Sequence, residues 1–451
     1  MKYILFISFL IQSSVGIAQF VLPSCEWTRV GGLINYKEAQ SKIVDFDFKK
    51  AELGGNVSDD EVLEAILSFG GDNLTILFSE KEYHFKKQIR LKSYCALKGS
   101  GARTKLIFEL ENERDPILAQ GRITKDTFKL ESGPFIQDEY CHLSEISNNI
   151  QKNEFYLLGD NDDVLVESWW AKGKTGQLVE VDKVLENEIS LKDQVWRDYN
   201  SDAYLIKMLP IHNVVISDLT IINNSKTKAQ TSNICFRYAY NCLVKNVHSI
   251  NSNYAHVLFE FSTHSGVDSC KLEKAHDYGN GGKGYGVAMQ FATSSCFVYE
   301  SKFDSLRHSI LLQAGANHNY IALNESTNPY WTDVKLPASS AGDIVLHGNF
   351  AYANLFEFNK CQTIVIDNSH GFNGPYNTFF NNEVTGYGIW QLRGSSCGPQ
   401  YFINNYLEGN KVRFKAKDKE CHQFNVVNGK AINKEDTKHP YESMIQGMVR
   451  Y

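Results

Sequence analysis

A short pattern of apolar and polar residues recurs along the middle of the chain, between Asn233 and about Arg393. Each occurrence is typical of a short strand with apolar first and third residues and a polar fourth residue. Six segments show it: Ile234-Cys-Phe-Arg-Tyr, Val257-Leu-Phe-Glu-Phe, Val287-Ala-Met-Gln-Phe, Ile310-Leu-Leu-Gln-Ala, Ile344-Val-Leu-His-Gly and Ile364-Val-Ile-Asp-Asn. Because successive side chains of a strand point to opposite faces, the first and third residues are expected inside and the fourth outside.

The spacing of these segments predicts a parallel β-solenoid. The polar fourth residues are separated by 23, 30, 23, 34 and 20 residues, and they are Arg237, Glu260, Gln290, Gln313, His347 and Asp367. A coil of about 20 to 25 residues with two or three strands is the signature of that architecture. The two long intervals contain loop signals, at 279–284 and 326–341. Coils stacked about 4.8 Å apart place the six residues in one polar column, which is the candidate site.

A second phrase follows most of these strands, as in Cys242-Leu-Val, Cys270-Lys-Leu, Cys296-Phe-Val and Asn319-Tyr-Ile. The pattern predicts that Cys242, Cys270 and Cys296 occupy the same place in successive coils and form a ladder. Stacked cysteines are compatible with a disulfide or with free, buried thiols. The chain has 10 cysteines but no Cys-x-x-Cys pair, so no zinc site is expected from that motif.

The N-terminus has the features of a secretory signal peptide over residues 1–18. Lys2 precedes the apolar run 3–11, and the small residues Gly16 and Ala18 come before a cleavage point near Gln19. We therefore expect a soluble, secreted protein, extracellular or periplasmic, with no membrane span. The net charge of −6 and the lack of a basic stripe argue against a nucleic-acid partner.

The presence or absence of the repeat pattern divides the rest of the chain into four further parts. An N-terminal cap and the first coils are predicted over 19–110, including a helix at 59–69 that begins with acidic residues. The charged stretch 111–209 breaks the rhythm and predicts a small inserted antiparallel β-domain. Coils resume over 210–410, and 411–451 is expected to be a polar closing segment.

The inserted domain has four predicted strands and four notable aromatic residues. The strand candidates are Phe155-Tyr-Leu-Leu, Val164-Leu-Val-Glu, Leu178-Val-Glu-Val and Glu188-Ile-Ser-Leu. The aromatic residues are Trp169, Trp170, Trp196 and Tyr199. They suit either stacking on sugar rings or docking of the insertion on the coils, and docking is the simpler interpretation.

Functional groups are densest between residues 305 and 318 and in the column beside them. Arg307 and His308 directly precede the strand that carries Gln313, while His347 and Asp367 are one coil apart. A carboxylate orients an imidazole and raises its basicity, and a nearby arginine neutralises a substrate carboxylate. The predicted catalytic residues are Arg307, His308, His347 and Asp367, and the predicted substrate-binding residues are Arg237, Glu260, Gln290, Gln313 and His370.

This grouping suits proton abstraction next to the carboxylate of a uronic acid. Elimination of the linked sugar makes the protein a polysaccharide lyase, and reprotonation from the other face makes it an epimerase. Hydrolysis needs two carboxylates about 5 to 9.5 Å apart. Glu260 and Asp367 are four coils, about 19 Å, apart, which leaves Asp343 and Asp367 as the pair for a glycoside hydrolase.

Purely structural alternatives remain open for several of these residues. Gln290 and Gln313 suit an amide ladder, and Glu260 beside Arg237 suits an ion pair of little energetic value. Isolated histidines in such coils usually satisfy buried groups, which we expect of His256, His264 and His276. The same structural role is an open alternative for His347 with Asp367. A non-catalytic glycan-binding or surface protein is a further alternative, because one fold serves many functions.

The cap at 59–108 and the coils at 214–410 resemble the pectate-lyase-like superfamily of right-handed parallel β-helix proteins. The resemblance implies an all-β fold with a helical cap, and a polysaccharide substrate. It is architectural, because the catalytic motifs of polygalacturonases and mannuronan epimerases are missing and Lys283 is only a weak match to the lysine of alginate lyases. No metal site is predicted. Calcium, frequent in such lyases, is left open by Asp277, Asp304, Asp343 and Asp367, and monomers and trimers are both compatible with the fold.

Overall fold

The computed structural model describes residues 42–69, 73–145, 149–279, 281–330, 342–409, 412–415 and 421–434. The predicted signal peptide lies outside the described residues. Within them, two α-helices are present, α1 (Phe46–Glu52) and α2 (Asp59–Phe69), and neither has the length and apolar character needed to span a bilayer. All other regular structure is β, apart from the 3₁₀ turn Trp169–Ala171.

The strands fall into three groups along the chain. Those before the insertion are β1 (Lys42–Asp45), β2 (Leu74–Leu77), β3 (Glu82–Phe85), β4 (Ile89–Leu91), β5 (Cys95–Lys98), β6 (Lys105–Phe108) and β7 (Ile117–Gln120). Those of the insertion are β8 (Arg122–Lys129), β9 (Tyr140–His142), β10 (Phe155–Gly159), β11 (Gln177–Leu185), β12 (Glu188–Leu191) and β13 (Tyr204–Leu209). Those after it are β14 (Ile211–His212), β15 (Val215–Asn223), β16 (Ile234–Arg237), β17 (Ala239–Tyr240), β18 (Leu243–Ser252), β19 (Ala255–Glu260), β20 (Gly266–Asp268), β21 (Lys271–Ala275), β22 (Tyr285–Gln290), β23 (Phe297–Tyr299), β24 (Lys302–Asp304), β25 (His308–Leu312), β26 (Tyr320–Ala322), β27 (Glu325–Thr327), β28 (Ile344–Leu346), β29 (Leu355–Glu357), β30 (Lys360–Asp367), β31 (Thr378–Phe380), β32 (Glu383–Leu392), β33 (Tyr401–Ile403), β34 (Tyr406–Leu407), β35 (Arg413–Lys415), β36 (Cys421–Val427) and β37 (Lys430–Lys434).

In the described part of the chain, 29 strands form one hydrogen-bonded β-helix, parallel throughout except for its last hairpin. Its strands stack in three faces. The first face is β4, β7, β16, β19, β22, β25, β28, β30, β32 and β35. The second face is β1, β2, β5, β15, β18, β20, β23, β26, β29, β31, β33 and β36. The third face is β3, β6, β15, β18, β21, β24, β27, β30, β32, β34 and β36, where the long strands bend from one face to the next.

The predicted register of the first face is confirmed. Arg237 pairs with Glu260, and Glu260 pairs with Gln290. Leu312 pairs with both Met289 and Leu346, so Gln313 and His347 follow in the same column. The alternate residues fill the interior, where like side chains stack: the rings of Phe356 and Phe379 lie 4.7 Å apart at 7°. Local alternation and the coil period were therefore sufficient to predict this face.

Two ladders of hydrogen-bonding side chains line the corners of the coils. In the first, the side chains of Asn319, Asn354 and Asn377 each accept from the backbone N–H one coil earlier. In the second, the same role belongs to Asn324, Asn359, Asn382, Asn405 and Asn425. These buried amides satisfy backbone groups that a tight corner cannot pair within its own coil.

The predicted cysteine ladder is wrong. Cys242 and Cys296 lie at the first corner, with Ser265 in the coil between them, whereas Cys270 lies at the second corner, directly before β21 of the third face. The backbone N–H of Cys270 donates to Ser301, a member of the second ladder. The sequences that follow these cysteines are similar, although the cysteines lie at two different corners of the coil. All three thiols are free and buried.

The cap contains the predicted helix and a second helix that was not predicted. Helix α2 forms as predicted, with Val62, Leu63 and Ile66 buried against the first coils. Helix α1 was not assigned from the sequence. It begins after Asp45, whose side chain accepts from the N–H of Phe48, and it buries Phe46 against the rings of Phe78 and Tyr83 in the first coil. Both helices cover core that stacking alone would leave open at this end.

The insertion forms a second sheet of six antiparallel strands in the order β8-β13-β10-β11-β12-β9. Two details differ from the prediction. Residues 117–120 form β7, a strand of the β-helix, so the insertion begins after it. The segment Val164-Leu-Val-Glu is a turn rather than a strand, and Val164 is exposed. The apolar residues of this segment therefore did not indicate a strand.

The insertion packs closely on the β-helix. The Nδ2 of Asn317 donates to the backbone oxygen of Gly176 at 3.1 Å. A Cβ at Gly315, whose φ is +76°, meets the Cα of Thr175 at 2.3 Å, so only glycine allows this approach. The aromatic residues of the insertion divide between two roles: Trp170 lies against Phe291, and Trp196 and Tyr199 are buried, whereas Trp169 is 84% exposed.

The C-terminal end of the β-helix lies further along than the sequence predicted. Strands β35 and β36 continue the coils beyond residue 410, where the prediction placed a closing segment. The hairpin of β36 and β37 then ends the described part of the sheet in an antiparallel pair.

Candidate functional site

The polar column divides into two chemically different halves. In the first half, the side chains bond to one another along the stack. Arg237 pairs with Glu260, the Nε2 of Gln290 donates to Glu260 at 2.7 Å, and the Nε2 of Gln313 donates to Gln290 at 2.6 Å. The hydroxyl of Tyr254 also donates to the Oε1 of Gln290 at 3.0 Å. These contacts match the amide ladder and ion pair that were the structural alternatives, so the geometry does not favour a substrate-binding role for Arg237, Glu260, Gln290 and Gln313.

The second half of the column brings together His347, Asp367 and, in the turn after it, His370. The Nδ1 of His347 lies 3.5 Å from the Oδ2 of Asp367. The ring of His370 lies 4.7 Å from the ring of His347, measured between centroids. Asp367 is the last residue of β30 and His370 is in the turn that follows, so the strand end and its turn place both beside His347 on the preceding coil.

Asp367 and the turn after it are held firmly. The Oδ1 of Asp367 accepts from the backbone N–H of Ser369 at 2.9 Å, and its Oδ2 accepts from the hydroxyl of Ser369 at 2.7 Å. The insertion supports the same turn, because the hydroxyl of Ser168 donates to the backbone oxygen of His370 at 3.3 Å. Only 1% of Asp367 is exposed, against 9% of His347 and more than a third of His370. The group therefore runs from the interior outward.

Arg307 and His308 lie on the same side of the β-helix as His347. The ring centroids of His308 and His347 are 6.2 Å apart in an edge-to-face arrangement. The Nδ1 of His308 lies 2.8 Å from the backbone oxygen of Gly342, which makes Nδ1 the protonated nitrogen. Arg307 donates through Nη1 to the backbone oxygen of Gly279 at 2.9 Å, and it is half-buried. The predicted catalytic residues therefore converge.

The imidazoles of His308 and His347 are neutral at neutral pH. Burial lowers the pKa of His308 well below its ordinary value, and the nearby charge of Arg307 lowers it further. Burial lowers the pKa of His347 to about 4, and the smaller effect of Asp367, which raises it, does not compensate. Desolvation disfavours the charged form of a base, which explains both directions.

The three groups of the second half are also the candidate ligands for a metal ion. One ligand atom each from His347, Asp367 and His370 lies within 4.8 Å of the other two. Among the described residues no other such group of histidine, cysteine, aspartate or glutamate is found. Of the four aspartates considered for calcium, Asp277 pairs with Lys283, and Asp304 accepts from Ser305 and Asn328.

Asp343 has a structural role, which weakens the case for the hydrolase pair. It is completely buried, and its Oδ2 accepts from the backbone N–H groups of Gln362 and Thr363 at 2.7 and 2.9 Å. Its Oδ1 accepts from the hydroxyl of Ser326 at 2.9 Å. Three hydrogen bonds hold this buried carboxylate in a structural role, so the geometry does not favour the sequence-based pair of Asp343 and Asp367 for hydrolysis.

The remaining histidines of the sequence analysis satisfy local groups. His256 is completely buried, and its ring nitrogens lie 2.8 Å from the hydroxyl of Ser249 and 2.9 Å from the backbone oxygen of Lys274. His276 contacts the backbone oxygen of Asn223 at 2.9 Å. His264 faces Asp193 of the insertion at 3.4 Å. The structural interpretation fits all three.

Two polar residues at the column were missed by sequence reasoning. Gln120 pairs with Arg237 and extends the column by one coil. Asp115 lies near Arg237 and Glu260, and burial raises the pKa of its carboxyl group. Both precede the insertion, which separates them from the next coil by more than 100 residues. The apolar run 117–119 was the sequence feature that could have indicated a further strand of the first face.

Comparisons with known proteins identify the fold and nothing finer. No family model matches the chain, and no curated protein matches its sequence. Solved structures with a similar fold include the tailspike gp61 of Pseudomonas phage phi297, with a TM-score of 0.61, 12% identity, and coverage of 86% of this chain and 73% of the tailspike. The tailspike gp49 of Pseudomonas phage LKA1 has a TM-score of 0.59 and 14% identity, with 77% of this chain covered.

A third similar structure is the Gp54 tailspike of Acinetobacter baumannii bacteriophage AP22, at a TM-score of 0.57 and 12% identity. The match covers 85% of this chain and 69% of that one. The present chain spans only 57% of the length of the LKA1 tailspike. At these identities the similarity establishes the architecture, a parallel β-helix, as the sequence predicted.

Proposed function

We propose that this protein is an exported enzyme that cleaves an acidic, uronate-containing polysaccharide by β-elimination. The observation that carries the proposal is the convergence of Arg307, His308, His347 and Asp367 on one side of the β-helix. Elimination needs a neutral base and a cation for the sugar carboxylate, and this group supplies both. The AP22 tailspike was solved with a capsular saccharide, so a β-helix of this kind can present a glycan-binding surface.

The proposed reaction assigns each group a step. Arg307 binds the uronate carboxylate and stabilises the negative charge that develops on it. The base that takes the proton at C5 is either His347, whose Nδ1 lies 3.5 Å from the Oδ2 of Asp367, or His308. The electron pair forms the C4–C5 double bond as the C4–oxygen bond breaks, and the departing oxygen takes up a proton from solvent. His347 is the imidazole of the two with exposed surface, so it meets the substrate more directly.

The test is a screen of purified protein against uronate-containing and neutral polysaccharides, followed by ultraviolet absorbance and by reducing ends. Both signals rise together for a lyase, because the unsaturated product absorbs and each cleavage makes one new end. Reducing ends without absorbance identify a hydrolase instead. Silence in both assays with glycan binding intact overturns cleavage, and proton exchange at C5 then separates an epimerase from a non-catalytic binder.

A further inference from the structure

His347 and Asp367 face each other without forming the hydrogen bond by which a carboxylate orients an imidazole. Their facing atoms, Nδ1 and Oδ2, are 3.5 Å apart, and no hydrogen bond joins them. The Nδ1 atom is buried and has no hydrogen-bond partner among the described residues. A buried polar atom without a partner costs about 1 to 3 kcal/mol, so its presence in a folded site calls for a ligand.

The spacing is that of two ligands of one metal ion. Ligand bonds of about 2.0 to 2.2 Å at a tetrahedral angle place two donor atoms about 3.4 Å apart. The Nδ1–Oδ2 distance of 3.5 Å agrees with that value. His370 offers a third donor, with all three atoms within 4.8 Å of one another. His370 is exposed in a turn, so its side chain is free to rotate toward the ion without displacing buried residues of the β-helix.

We propose that His347, Asp367 and His370 form a site for a divalent transition metal ion such as Zn²⁺. Two imidazoles and one carboxylate suit zinc and its neighbours, whereas calcium prefers oxygen ligands alone. Three protein ligands leave one tetrahedral position open, which is the arrangement of catalytic rather than structural zinc sites. The hydrogen bonds from Ser369 to both oxygens of Asp367 supply the second shell that such sites require.

The ligand of the open position is a carboxylate, an assignment that rests on the proposed function. A divalent ion bound by one carboxylate leaves the site with a positive charge, and Arg307 lies on the same side of the β-helix. Uronate carboxylates are therefore attracted to the ion. With the ion bound, His347 is a ligand, and His308 remains as the free imidazole, since its Nε2 has no partner among the described residues.

Metal binding is tested first without any polysaccharide. Protein without an affinity tag is stripped with a chelator, dialysed, and titrated with ZnCl₂ by calorimetry, and the bound zinc is counted by mass spectrometry. We expect one equivalent, retained in an excess of Ca²⁺. His370→Ala is the informative variant because its side chain is exposed, and we expect at least a tenfold loss of affinity. The matched control is His84→Ala, an exposed histidine of the cap, which leaves binding unchanged.

Three outcomes overturn the metal site: no stoichiometric zinc, equal affinity of the wild type and His370→Ala, or displacement of zinc by calcium. Circular dichroism of each variant shows that the fold is intact. The two proposals fail separately. If lyase activity survives complete removal of metal, the proposed function stands and a catalytic role of the metal is overturned. If zinc binds tightly but no uronate polymer is cleaved, the metal site stands and the proposed function is overturned.

Discussion

The indole of Trp196, in the connection between β12 and β13 of the insertion, stacks on the imidazole of His318 in the β-helix, with ring centroids 3.7 Å apart and planes inclined by 14°. Both side chains are buried. Beside this stack, Arg197 lies over the ring of Tyr199 and pairs with the buried Asp160 at 3.0 Å. An aromatic contact inside such a charged, buried cluster fixes the insertion against the coils next to the candidate site.

Trp196→Ala is expected to loosen the insertion. Removing a buried tryptophan costs about 3 to 5 kcal/mol, from lost burial and the cavity that remains. Denaturant unfolding measures the loss, and limited proteolysis shows faster cleavage within 122–209. The control is Trp169→Ala, whose side chain is 84% exposed and whose replacement changes stability by about 0.5 kcal/mol or less. Equal stabilities of the two variants would contradict the docking role of Trp196.

His347→Ala is expected to lower kcat on the uronate polymer by about 10²- to 10⁴-fold, the usual contribution of general base catalysis. The loss follows whether His347 takes the proton or binds the proposed ion. Ultraviolet product formation is the measurement, with circular dichroism as the check on folding. His84→Ala serves again as control, because this exposed cap histidine is outside the site. Unchanged turnover in His347→Ala would remove it from the mechanism.

Arg307→Gln is expected to abolish the preference for a carboxylated polymer. The guanidinium is held by the backbone oxygen of Gly279, so it offers a fixed positive charge. The wild type should bind a uronate polymer more tightly than its carboxyl-reduced form, and the variant should bind both alike. Affinity electrophoresis at two salt concentrations measures the difference. Arg90→Gln, at an exposed arginine, provides the control, and a retained preference in Arg307→Gln would place the carboxylate elsewhere.

Asn359→Ala is expected to destabilise the corner ladder. The Oδ1 of Asn359 accepts from both the backbone N–H and the Nδ2 of Asn324, at 3.1 and 3.0 Å. The variant leaves both buried donors unpaired, and each unpaired group costs about 1 to 3 kcal/mol. The midpoint of denaturant unfolding reports the change. Asn224→Ala is a matched control at an exposed asparagine, and a similarly small effect at both positions would argue against the ladder as a source of stability.

Asp343→Asn is expected to stabilise the protein more as the pH rises. Burial raises the pKa of Asp343 to about 6, from 3.8 for the exposed group. Between these values the folded state binds the proton and the unfolded state releases it, so the aspartate lowers stability as the pH increases through this window. The shift corresponds to about 3 kcal/mol above pH 6.

The measurement for Asp343→Asn is the difference in unfolding free energy between variant and wild type from pH 4 to 7. The asparagine oxygen still accepts from Gln362 and Thr363, and its amide donates to Ser326, so the contacts are retained. The difference should grow from pH 4 to 6 and then stay constant. A difference independent of pH would show that Asp343 ionises freely in the folded protein.

The sequence determined the repeat, the first face and the order of the column. Alternation of apolar residues and a period near 23 residues are local properties, and each coil pairs with the next in register. The asparagine ladder was also within reach, because Asn359, Asn382 and Asn405 recur at intervals of 23 residues. Helix α2 followed from its spacing and its acidic first turn.

The tertiary structure alone decided which corner Cys270 occupies, that Asp343 is buried, and that the insertion anchors the turn at His370. Similar sequence patterns occur at both corners of a coil, so the residue types alone do not show which corner a residue occupies. Contacts such as Ser168 with His370 join residues about 200 positions apart, and they depend on how two sheets pack rather than on any repeat. Packing of that kind depends on side-chain shape across the whole interface, which the local pattern does not encode.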